Sequence, residues 1–144
     1  MMKYGIVSVV SGFLFIVIDV IINANPLAQN LYAVYSPIAK TSVNIPAGIL
    51  IDLAYGFIVA GVFLILYKGL PGKTGLGKGI SFALIVWFFR VIMSSAPSWM
   101  ILNIQLPIVL YTLVTGLGEM LVIGSFYGLT LYQVGEQSAR SQQM

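Results

Sequence analysis

The chain has 144 residues, 59% of them hydrophobic and only 8% charged, with a formal net charge of +3. Soluble domains carry about a quarter charged residues, so this is a membrane-protein composition with no water-soluble domain in it. Cysteine and histidine are both absent, which excludes disulfides, thiolate or histidine-activated nucleophiles, His-ligated haem and the usual zinc sites. No metal and no cofactor is expected. The few basic residues fall at helix ends, where membrane topology explains them, so nucleic acid is not an expected partner; the lipid bilayer is.

The first apolar run, about 4–22 behind Lys3, is long enough to cross a bilayer, which takes about 20 residues. A signal peptide is the rival reading. The run exceeds the usual apolar core of such a peptide, about 7–15 residues, and Asp19 interrupts its end, so an uncleaved helix is expected. Ser8, Gly12, Asp19 and Asn23 fall roughly on one face, the side expected to meet protein. Residues 23–45 carry Pro26 and Pro37, and Pro46 follows directly. A structureless loop of that length is uncommon. A short interfacial helix over about 27–35 is expected, with its tyrosines at headgroup depth. A re-entrant segment is the alternative.

The second span is expected over about 46–67. Pro46 suits a first helical position. Gly48, Asp52, Gly56 and Ala60 recur at four-residue spacing and make a small-residue stripe where a neighbour could approach. Tyr55 lies beside Asp52 and could donate to it. The following Gly72-Lys73-Thr74 imitates the end of a phosphate-binding loop, but Tyr67 stands where the first glycine is needed and no strand precedes it. The segment reads as a basic turn. The third span is expected over about 79–96, stopping before Pro97, and the fourth over about 107–132. In the fourth, Thr112, Thr115 and Glu119 share a face, and Gly124 and Gly128 form a small-residue pair suited to helix packing. Tyr4, Tyr67 and Tyr132 sit where an aromatic belt is expected.

The expected fold is therefore all-α: one four-helix transmembrane bundle over 1–134, then a flexible polar cytoplasmic tail over 135–144. Four alternating spans place Lys3, Lys68, Lys73, Lys78 and Arg140 on one side and only Lys40 on the other. The positive-inside rule then makes both termini cytoplasmic, in a multi-pass protein of a prokaryotic inner membrane. Asp19 precedes Pro26 by the interval that separates Arg90 from Pro97, a faint echo of a parallel duplication.

Each span carries one intramembrane ionisable residue: Asp19, Asp52, Arg90 and Glu119. A lone charge at the bilayer centre costs about 2.5–3.5 kcal/mol on insertion scales, so Arg90 must find a carboxylate. By helix rise, Asp52 lies roughly 9 Å from the outer end of its span, while Arg90 and Glu119 lie roughly 18 Å along theirs. Asp52 is the expected salt-bridge partner and Glu119, the deepest acid, the expected neutral or proton-exchanging group. Asn23, Tyr55, Thr112 and Thr115 are the expected supporting polar residues. Such a cluster points to transport of protons, ions or a small solute, as a homo-oligomer because four helices are few for a pathway. The alternatives are an accessory or assembly subunit docked on a partner membrane subunit, or a pair that only fixes helix register. Gly116-Leu117-Gly118-Glu119 resembles the Gly-x-Gly-Asp motif of intramembrane aspartyl proteases, with Glu for Asp, in a chain short for that family.

Overall fold

The computed structural model describes residues 2–37, 42 and 44–141, the last five by their backbone alone. Four helical spans dominate: α1 (Met2–Ala24), α3 (Ile45–Leu66), the run α4 (Gly75–Trp87), a π-helical turn (Phe88–Ile92) and α5 (Met93–Ile101), and α6 (Leu106–Thr130). All are long and apolar enough to cross a membrane; the shortest, at about 1.5 Å per residue, reaches roughly the 30 Å of a hydrocarbon core. Two short helices complete the chain. α2 (Pro26–Tyr32) runs into a 3-10 turn (Ala33–Tyr35), and α7 (Tyr132–Ser141) follows α6. Among the described residues there is no strand, and the protein is an all-α, multi-pass membrane protein.

Local chemistry sets the helix starts. Asn25, Asn44 and Thr74 each accept a hydrogen bond from the backbone N–H three residues on, satisfying a donor that a helix start leaves free. Proline opens α2 and occupies the first turn of α3 and α6, where its missing N–H costs nothing. Gly72 adopts φ 127° in the turn before α4, a conformation open to glycine. Lys78 then folds back, its Nζ donating to the Tyr67 carbonyl at 2.7 Å and lying 4.2 Å from the Tyr67 ring centroid. A cation thus caps the carboxyl end of α3.

Two antiparallel hairpins, α1 with α3 and α4 with α6, make the tightest contacts, and α1 against α6 joins them. Inside a bilayer apolar side chains gain nothing by leaving lipid, so close backbone approach and dispersion must hold helices together. Both seams use small residues. Gly56 lies against the Ser8 carbonyl and Gly12, while Gly12 lies against Leu53. Gly75 and Gly79 lie against Gly128 and Gly124, so tightly that a Cβ on Gly79 would run into the Gly124 carbonyl. The expected packing role of Gly124 and Gly128 is therefore met within one chain. Phe63, Phe82 and Tyr127 fill the centre with ring centroids 5.2 to 6.3 Å apart.

Several boundaries differ from the sequence reading. The third span starts at Gly75 and passes through Pro97 to Ile101 instead of ending at residue 96. Residues 135–141 of the expected tail continue in helix α7. Tyr67 is buried and Tyr4 donates to the Phe57 carbonyl at 2.8 Å, so these two tyrosines tie helices together where a lipid-facing belt was expected. The Lys3 Nζ donates to Gln133 Oε1 at 3.2 Å, which brings the start of α1 and the α6–α7 junction to one end. Lys68, Lys73 and Lys78 flank the turn at that same end. Lys40 lies outside the described residues.

Candidate functional site

Towards the other end the bundle opens around Arg90. Its segment leaves α-helical register: Met93 N–H bonds back to the Phe88 carbonyl, five residues away. Pro97 lacks the N–H that would meet the Met93 carbonyl, and Ser94 Oγ donates to the Arg90 carbonyl at 2.6 Å with the Val91 carbonyl also near, at 3.0 Å. Such single π turns recur at functional sites. Here the turn carries the guanidinium. Trp87 Nε1 ties the same stretch to α6 by donating to the Leu113 carbonyl at 3.0 Å.

Arg90 Nη1 bonds Glu119 Oε1 at 2.9 Å. Glu119 is 7% exposed, and about a third of the Arg90 side chain remains open. The guanidinium carbon lies 4.9 Å from the Tyr55 ring centroid and 5.7 Å from that of Phe15, a cation–π setting that offsets lost hydration. Met120 Sδ lies at 4.0 Å from Nη1. The partner of Arg90 is therefore Glu119, in place of the expected Asp52. Asp52 instead lies near Asp19, the two carboxyls acting on each other and both lying within the field of Arg90.

A cavity of about 220 Å³ opens onto this group, lined by Asp19, Arg90 and Glu119 together with Tyr32, Ser94, Thr112 and Thr115. A second, of about 180 Å³, shares Ser94 and Thr112 and continues past Ser98 to Tyr35 and Ile104. Together they run from the middle of the bundle towards the α5–α6 connection. The α2 segment covers them. Asn25 Nδ2 reaches the Ile22 carbonyl at 2.7 Å and the Tyr111 hydroxyl at 2.8 Å. Tyr111 donates to the Ile22 carbonyl at 2.6 Å and stacks edge-on with Tyr32. The short helix expected over 27–35 is thus present, packed across α1 and α6.

Of the expected supporting residues, Thr112 and Thr115 line the cavity. Tyr55 contributes its ring to Arg90 where a bond to Asp52 was expected. Asn23 is exposed and bonds only the Asp19 backbone carbonyl, so it does not join the cluster. Glu119 spends one oxygen on Arg90, Gly116 faces Val91 and Gly118 faces open space, so the protease-like tetrapeptide builds no acid pair of its own. Sequence reasoning missed Phe15, Tyr32, Ser94 and Tyr111. Ser94 alone had a signal, lying one helical turn beyond Arg90.

The fold and the site define a small polytopic α-helical membrane protein in which Arg90 of the third span pairs with Glu119 of the fourth, beside Asp19 of the first. Comparison with protein-family profiles, curated proteins and solved structures returns no match to this chain.

Proposed function

We propose that the protein passes protons or a small cation across a membrane, with the Arg90–Glu119 cavity as the binding point. The observation that carries this reading is the meeting of two acids, Asp19 and Glu119, with Arg90 at a cavity in the middle of an apolar bundle. Intramembrane ionisable groups are costly and persist where they line pathways. Asp19 and Glu119, both in the cavity wall, supply carboxyls that can give and take a proton. Four spans enclose the cavity on few sides, so the working unit is a homo-oligomer. The lysines gathered at the end where α1 begins and α6 ends support a cytoplasmic reading of that end in a prokaryotic inner membrane, with the cavity opening outwards.

The test is flux in sealed vesicles holding the purified protein alone. Wild type should collapse an imposed proton gradient faster than empty vesicles, and Glu119→Gln, inserted in equal amount, should be several-fold slower. Equal rates in wild type, variant and empty vesicles would overturn the reading.

One observation favours a second reading, an accessory subunit. α3 packs closely on α1 alone and leaves most of its apolar surface exposed, including Ile58 at 60% and Ile65 at 81%. A partner subunit's helix would fit there. Purification in mild detergent that yields a homo-oligomer every time, with no second protein, rules this out.

A further inference from the structure

We infer that the cavity beside Glu119 binds a small organic monocation bearing N–H donors, a protonated amine. This names the cargo of the site proposed above and rests on that site being a binding site.

The first argument counts hydroxyl protons. Ser94, Thr112 and Thr115 of the wall, and Ser98 of the adjoining cavity, have one hydroxyl proton each, and each spends it on its own helix. Ser94 donates to Arg90, Thr112 to Ile108 at 3.0 Å, Thr115 to Tyr111 at 2.7 Å and Ser98 to Ser94 at 2.8 Å, all through backbone carbonyls. What these residues turn to the cavity is lone pairs. A ligand that bonds these hydroxyls must bring its own donors.

The second argument counts charge. Glu119 is more than nine-tenths buried and lines the cavity, yet among the described residues only its Oε1 is bonded. Its Oε2 accepts nothing, and no enclosed polar atom is left unpaired, so this oxygen faces the open volume. Three carboxyls lie in the field of one guanidinium, so the group keeps a negative charge unless two of the three are protonated. A positive charge on the ligand offsets it.

The third argument concerns the one cation in the wall. Arg90 bonds Glu119 through Nη1, and its faces lie towards Phe15 and Tyr55. An anion would have to compete with Glu119 for it and would meet Asp19 beside it. Tyr32 also lines the cavity, and aromatic rings attract cations. The volume equals about seven waters at about 30 Å³ each, enough for a single-ring or short-chain amine.

The experiment measures binding of radiolabelled benzylammonium to the purified protein in zwitterionic-lipid nanodiscs, with empty nanodiscs subtracted. Saturable binding is expected, displaced by methylammonium but not by benzyl alcohol or benzoate. Benzyltrimethylammonium, which has no N–H, should compete about tenfold less well, the worth of one charge-assisted hydrogen bond. Asp19→Asn and Thr112→Val, which keep shape and spare the Arg90 pair, should each weaken binding several-fold or more. The inference is overturned by an absence of saturable binding, by benzoate or benzyl alcohol competing as well as the amine, or by wild-type affinity in both variants. Saturable amine binding with no flux would sink the transport reading and leave this one standing. Proton flux without amine binding would do the reverse.

Discussion

The two ends of the bundle solve the same problem differently. At the end with the termini, α4 meets α6 through glycines, Phe63, Phe82 and Tyr127 fill the centre, and the buried polar groups are paired: Tyr127 donates to Ser11 Oγ at 2.9 Å and Ser11 to the Ser8 carbonyl. At the other end the helices splay around a cavity, the backbone widens into a π turn, and charged groups keep unfilled bonding capacity. At the first end the α4–α6 seam is closed by glycine and ring packing, and the cavity of about 520 Å³ beside it, between α1 and the end of α6, has no acid in its wall. The second trades packing for polarity. Low-stability regions are where binding and motion are usually found, and this contrast is why the proposed site lies at the second end.

The largest effect should come from breaking the closed end. In Gly79→Leu the new side chain meets the Gly124 carbonyl and the Gly128 Cα, both backbone and unable to step aside. Overpacking costs about 1–3 kcal/mol even where side chains can yield, so this seam should fail, and size-exclusion chromatography should show aggregate in place of a monodisperse peak. Gly48→Ala is the internal control. Nothing lies within 4 Å of the added carbon, and alanine gains about 1 kcal/mol of helix propensity over glycine. Its melting temperature should equal or exceed wild type.

Next comes the charged end. Arg90→Met leaves Glu119 enclosed without its cation. Breaking a fully buried pair costs about 3–5 kcal/mol; the exposed third of Arg90 lowers that here. Adding Glu119→Leu should recover part of the loss. A double-mutant cycle in thermal denaturation reads this directly, and additive losses would mean that the pair is not coupled.

These two ends were not equally legible in the sequence. An ionisable residue in an apolar run announces itself, so Asp19, Asp52, Arg90 and Glu119 were all visible. Their pairing was not. Helix rise gives depth but not rotation or packing order, although Arg90 and Glu119, both near mid-span, were the pair that depth alone favours. The span through Pro97 was misjudged because a proline was read as a stop, while a π turn five residues upstream carries no compositional mark. Gly75 and Gly79 were read as turn and helix start, yet their spacing matches Gly124 and Gly128 across the seam. Tyr127 passed unnoticed because one phenol in an apolar run looks like any other core ring.

That phenol sharpens the closed end by a smaller amount. Tyr127→Phe removes the hydroxyl that links α6 to Ser11 on α1 and lies 3.2 Å from the Gly56 carbonyl on α3. Ser11 keeps its own donor bond, so no buried proton is stranded. Interhelical hydrogen bonds in membranes average about 0.6 kcal/mol, and denaturant titration should show a loss of that order, with flux unchanged.

The smallest effect on stability, and the most informative about the open end, is expected from Tyr111→Phe. The hydroxyl bonds both Asn25 Nδ2 and the Ile22 carbonyl, tying α2 down across the cavity. Its ring contact with Tyr32 survives in phenylalanine, and the Ile22 carbonyl keeps Asn25 as donor. Global melting should therefore scarcely move. The α2 segment has little else to hold it, with Leu27 at 59% exposure and Ala28 its one fully buried side chain. Amide exchange over 26–35 should accelerate, while exchange in α4 and α6 near the glycine seam stays at the wild-type rate. If protection is lost evenly along the chain, the two ends form one cooperative unit and the division between a closed base and an open mouth is wrong. If it is lost in α2 alone, the segment is a cover whose opening costs little, and access to Glu119 is set by one hydroxyl.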